Sequence, residues 1–159
     1  MAGWVFAALV LAAASTGALF KPGEWYEELR KPSWTPPNWA FPVVWTILYV
    51  MIAVAGWLVW REAGWSLPIL FWGVQIVLNA AWSWLFFGLK RMEWAMAEVS
   101  LLILSGLGFI VSAHDVSPVA SLLFIPYLAW VVTAAALNLR VLQLNPTATE
   151  NAARLAKLP

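Results

Sequence analysis

"LPILFWGVQIVLNAAWSWLFFGL" (Leu67–Leu89) is 23 residues long and carries no charged side chain. About 20 predominantly apolar residues suffice to cross the hydrocarbon core of a bilayer as a helix. A helix is one of the few forms that satisfies its own backbone polar groups there. The run is not uniformly apolar. At about 100° per residue, Trp72, Gln75, Asn79, Ser83 and Phe86 share one face. Unpaired amides are costly in hydrocarbon, so Gln75 and Asn79 must face protein or a cavity. Two readings fit: hydrogen-bonding glue between helices, or the polar wall of a ligand pocket. Gly73, Val77, Ala81, Trp84 and Gly88 lie roughly opposite. Small residues there permit close helix approach in lipid, which makes this face a candidate dimer contact.

The rest of the chain agrees. Of its 159 residues, 63% are hydrophobic and 11% charged, against about 25% charged in soluble domains. The apolar runs are continuous rather than alternating, which excludes a β-barrel. The expectation is an all-α membrane protein: a compact bundle of five transmembrane helices in a single domain, residues 1–159. The spans fall at about 4–20, 43–60, 67–89, 94–113 and 118–139, with a connecting segment at 21–42. The loops after the second span are short, which makes successive helices antiparallel neighbours. Ser117-Pro118 reads as an N-cap followed by proline at the first helical position. Pro126 should kink the last span, because it cannot bond the carbonyl of Leu122. The first span follows "MAG", without a positive n-region, so it is read as retained rather than cleaved.

Charge sets the orientation. Lys21, Arg30, Lys31, Lys90, Arg91, Arg140, Arg154 and Lys157 fall on one side and Arg61 alone on the other. The positive-inside rule then places the N-terminus outside and the C-terminus in the cytoplasm. A net charge of +1 gives no basic surface for nucleic acid, and the absence of cysteine removes disulfides and thiolate chemistry. The single histidine, His114, leaves little for metal binding, and no metal site is expected. There is no catalytic triad, carboxylate pair or phosphate loop. Glu98, about one turn inside the fourth span, is read as structural, reaching water or pairing with Lys90 or Arg91.

Two other spans offer aromatic faces. Trp45, Tyr49 and Gly56 align on the second. Tyr127, Trp130 and Ala134 align on the fifth, with Asn138 near the edge. Large aromatics beside a few polar groups suit a flat, mostly apolar ligand, although packing alone would also use them. "KPSWTPPNWAFPVVWTILY" (Lys31–Tyr49) leads into the second span with four prolines and three tryptophans.

"WTPPNWAFPVVWTILY" (Trp34–Tyr49), "LNAAWSWLFFGLKRMEWA" (Leu78–Ala95) and "PYLAWVVTAAALN" (Pro126–Asn138) resemble the TspO, or translocator protein, family. Its other names are tryptophan-rich sensory protein and peripheral benzodiazepine receptor. The likeness runs from about Thr16 to Asn138. It implies a five-helix bundle, usually a homodimer, that binds porphyrins and other hydrophobic ligands beneath the loop joining the first two helices. That loop would be a lid, stiffened by proline and losing little entropy on closing. By the same resemblance the ligand-binding residues are Trp25, Tyr26, Trp34, Trp45, Asn79, Trp82, Trp130 and Ala134. Trp45 and Trp130 match positions linked to light-dependent porphyrin breakdown. Leu139 and Gln143 stand where the tyrosine and basic residue of the animal sterol motif would fall, itself a weak pattern. Sterol binding is therefore doubtful, and a bacterial inner-membrane member is implied.

The leading expectation is a tetrapyrrole-binding sensor or regulator that holds a protoporphyrin-like ligand, has no intrinsic cofactor and promotes photo-oxidative loss of that ligand. The alternatives are a carrier for porphyrin or lipid and a scaffold whose tryptophans only pack. The chain lacks the internal repeats and paired broken helices usual in carriers.

Overall fold

The computed structural model describes residues 2–148, and every described element is helical. Helix α1 spans Gly3–Leu19, α2 Glu24–Glu28, α3 Ala40–Ala63, α4 Leu67–Ser83, α5 Met92–His114 and α6 Pro118–Leu144. A π-helical turn, Trp84–Gly88, continues α4. Four helices (α3, α4 with its π turn, α5 and α6) are long and apolar enough to cross a membrane. Helix α1 is apolar but only 17 residues long.

These five helices close into a ring in the order α1, α3, α6, α5, α4, each packing on the two beside it. The core runs through the middle, where Ile52, Ala55, Val59, Phe109, Phe124 and Tyr127 are sealed from solvent. The outer faces stay apolar: Leu70, Val77, Leu104, Val111 and Leu122 are exposed. In water this distribution would be penalised, and in lipid it is the expected one.

Local sequence explains the helix starts. Ser117 accepts a hydrogen bond from the Ala120 amide, and Pro118 opens α6, as the sequence implied. Helix α6 runs unbroken through Pro126. Gly56 is a seat for a neighbour. A Cβ there would lie 2.5 Å from Trp72 Nε1 and 2.8 Å from Phe6. With hydrogen in that place, the Trp72 indole reaches across and donates to the Ile52 carbonyl at 2.9 Å.

The structure corrects several sequence expectations. The connecting segment at 21–42 is partly helical. It contains α2, buries Tyr26 and Leu29, and gives its last residues to α3. Its backbone is clasped to the end of α6. The Arg30 amide donates to Asn145 Oδ1, and Asn145 Nδ2 donates to the Arg30 carbonyl, both at 2.9 Å. Gly88 leaves the face of Gly73 and Val77, since the π turn rotates it against Phe20. Glu98 makes no ion pair with Lys90 or Arg91; it is buried, and neither carboxylate oxygen has a hydrogen-bond partner. Trp72 and Gly56, placed on aromatic faces by periodicity, are consumed in packing. Arg154 and Lys157, which entered the orientation argument, lie outside the described residues.

Candidate functional site

Helices α3, α4 and α6 converge on a chain of polar side chains in mid-bundle. Tyr49 on α3 donates its hydroxyl to Asn79 Oδ1 on α4 at 2.9 Å. Asn79 Nδ2 donates to the Tyr127 hydroxyl on α6 at 3.3 Å. Tyr127 donates onward to Gln75 Oε1 at 2.8 Å, returning to α4. Gln75 and Asn79 are one turn apart on α4, so a single face supplies both amides. Each hydroxyl or amide here saves another from being buried unpaired, which is why the set stands or falls together.

Aromatic rings pack on the chain and in the core around it. Trp45 stacks on Tyr49 with centroids 5.2 Å apart and meets Tyr127 edge-on at 6.4 Å. Phe41 meets Trp130 edge-on at 5.8 Å. Trp82 stacks on Phe86 at 5.0 Å and meets Phe87 at 5.7 Å. Trp25 and Tyr26 close on Phe86 from the connecting segment at 6.1 and 6.2 Å. Such offset and edge geometries are the favoured ones for aromatic pairs. Trp82 borders both clusters, one built around α3 and α6 and the other around α2 and the π turn.

Five groups nearby are buried with unspent hydrogen-bonding capacity: Gln75 Nε2, the indole nitrogens of Trp82 and Trp130, the Glu98 carboxyl and the Asn138 amide. Buried polar atoms are ordinarily paired, so a concentration of unpaired ones is informative. Glu98 and Asn138 stand on α5 and α6, which pack along their lengths, towards the end of the bundle that carries Lys90. No group of three or more metal-ligating side chains occurs among the described residues.

Of the residues expected at a site, Trp45, Asn79, Trp82 and Trp130 belong to this region. Trp25 and Tyr26 reach it through Phe86 and Phe87. Burial, and then the neighbouring Glu27 charge, raise the Tyr26 phenol above its ordinary value of 10.0. Trp34 is 49% exposed and joins no aromatic pair among the described residues. Ala134 is half-buried on α6. The sequence reading left Tyr49, Gln75 and Tyr127 off the list of site residues. Their shared faces were visible, but the cross-helix bonds that unite them were not. Phe41 was missed outright, because it precedes the span as it was drawn.

Comparison with known proteins matches residues 5–144 to the TspO/MBR family. Protein CrtK of Rhodobacter capsulatus is 44% identical over 139 residues, covering 84% of this chain and 86% of the relative. The tryptophan-rich sensory protein of Cereibacter sphaeroides is 39% identical over 140 residues, covering 88% and 89%. The translocator protein of Bos taurus is 38% identical over 139 residues, covering 81% of each.

Proposed function

The chain belongs to the TspO/MBR family and is an integral membrane protein, and from that premise we propose that it binds tetrapyrroles as a sensor or regulator. Helix α1 is the fifth span, short but within the roughly 17–25 residues that cross a bilayer. The N-terminus faces outward and the C-terminus faces the cytoplasm of a bacterial inner membrane. One observation carries the reading: Trp45 packs on the polar chain, further rings from α3, α4 and α6 share its core, and the Trp82 and Trp130 indole N–H groups among them are unspent. A flat apolar ligand with a few acceptors complements that combination. Burial of its surface supplies affinity, and the indole donors fix its orientation.

The site offers no general base, nucleophile or metal, so any turnover borrows reactivity from the ligand. A bound porphyrin absorbs light and sensitises oxygen, and that oxygen is the oxidant. Trp45 and Trp130 are the oxidisable neighbours. The test is porphyrin bleaching under light, with and without oxygen, in the wild type and in Trp45→Phe and Trp130→Phe. Phenylalanine keeps apolar bulk but is far harder to oxidise. Slower bleaching at preserved affinity is expected. Equal bleaching in the dark, or equal bleaching of the variants in light, would leave a binding protein only.

The name of the cattle relative, translocator protein, supports a second reading as a carrier, for which we propose porphyrin or lipid as the cargo. Reconstitution in sealed vesicles separates the two: saturable binding without transfer to an enclosed acceptor supports a sensor. A homodimer through the outward face of α4 completes the proposal. Val77 is 68% exposed there, and nothing crowds Gly73.

A further inference from the structure

The end of α1, the start of α2 and the end of the π turn enclose a cleft of about 410 Å³. It is lined by Lys21, Gly23, Glu24, Trp25, Phe87 and Lys90. Its walls are held by close contacts. Gly88 admits Phe20, whose ring would lie 2.9 Å from a Cβ at that position. The π turn closes with Leu89 N–H donating to the Trp84 carbonyl at 2.8 Å and Arg91 N–H donating to the Leu85 carbonyl at 3.0 Å. Between those two amides Lys90 is forced to a φ of 55°, the only positive φ at a non-glycine residue among those described. Glycine or asparagine would adopt this backbone at less cost. Strain of this kind persists where the surroundings over-determine it, often at binding sites. Here it accompanies a Lys90 ammonium 5.8 Å from the Trp25 ring centroid.

The charges are uncompensated. Among the described residues neither Lys21 nor Lys90 forms an ion pair; the pairs present are Lys31–Glu27 and Arg61–Glu62. Glu24 lines the cleft but lies beyond ion-pair distance of both lysines. Two ammoniums and one carboxylate leave one positive charge to be neutralised. Apolar surface adjoins the charges, because Leu19 and Leu89 are exposed beside Lys21 and Lys90. We infer that the Lys21–Lys90 cleft binds the phosphodiester headgroup of a singly anionic phospholipid. The acyl chains run along those exposed apolar residues, and Trp25 sits at headgroup depth, where tryptophan is favoured. This inference goes beyond the tetrapyrrole reading and does not depend on it.

The test is native mass spectrometry of the delipidated full chain, titrated with dioleoyl phosphatidylglycerol, dioleoyl phosphatidylcholine and inorganic phosphate. Phosphatidylglycerol should bind about tenfold or more tighter than phosphatidylcholine, and Lys21→Gln/Lys90→Gln should lose about that factor. Arg91→Gln/Arg140→Gln removes as much charge from the same end but none from the cleft, and should change little. Lys90→Gly suits the local backbone, so it should melt no lower than the wild type yet still bind less lipid. Affinity falling equally in both double variants would reduce the effect to a diffuse surface potential and overturn the site. Phosphate binding as tightly as the lipid would overturn the lipid assignment. So would an equal loss of protoporphyrin IX affinity in Lys21→Gln/Lys90→Gln, which would give the cleft to that ligand's carboxylates.

Discussion

The middle of the bundle and the end near Lys90 handle polar groups in opposite ways. In the middle, Tyr49, Asn79, Tyr127 and Gln75 form an unbroken chain across three helices, leaving only Gln75 Nε2 unpaired. Towards the other end, Glu98 and Asn138 are equally buried and make no side-chain hydrogen bond within the protein. The first arrangement ties helices together. The second leaves hydrogen-bonding capacity unspent, which ties no helices together. Buried polar groups in a membrane protein therefore need to be sorted by partner, since burial alone does not separate scaffold from site.

The sharpest structural break of this comparison is Gly56→Ala. The added methyl would collide with the Trp72 ring and Phe6, neither of them a flexible chain end. Overpacking of this kind costs about 1–3 kcal/mol and sometimes more, and here it also threatens the Trp72–Ile52 hydrogen bond. A marked fall in melting temperature in detergent is expected; wild-type stability would show that the seat is loose. Tyr127→Phe comes next. It strands Gln75 Oε1 and Asn79 Nδ2, and should cost about 1–2 kcal/mol, since interhelical hydrogen bonds in membranes rarely exceed that.

At the other end the sign changes. Glu98→Gln and Asn138→Leu remove groups with nothing to lose, so stability should hold or rise within about 1 kcal/mol. A strong fall in either variant would reveal a partner and erase the contrast. The smallest effect is at alkaline pH. The Tyr26 phenol is held above its ordinary value, chiefly by burial. The folded state then holds that proton more tightly than the unfolded one. The resulting stability is fully present below about pH 10 and is lost as pH rises through the folded-state value. Tyr26→Phe should remove this alkaline decline, which melting curves across pH 8 to 12 would register.

Much of the fold was legible because the apolar runs are long and the amide faces follow a helical period. The five runs fall where the helices do, with ends shifted by a few residues, as fraying termini allow. Gln75, Asn79, Tyr49 and Tyr127 sat on faces that periodicity exposed. The π turn was not legible: its extra residue per turn rotates Gly88 away from the face of Gly73, and no local signal in "WLFFG" announces it. Nor was the isolation of Glu98, since the turn between the π turn and α5 that carries Lys90 and Arg91 is set by packing and not by their nearness in sequence. Helix α2, five residues long, is held by the contacts of Tyr26 and Trp25 with Phe86 and Phe87.

One paired measurement tests the division most directly: melting temperature and protoporphyrin IX affinity, the latter by tryptophan quenching, in Tyr127→Phe and Trp130→Ala. The account predicts that Tyr127→Phe lowers stability and leaves affinity nearly intact. Trp130→Ala should weaken binding by about 1–3 kcal/mol with the smaller loss of stability. Affinity lost equally in both variants, or untouched in Trp130→Ala, would contradict it.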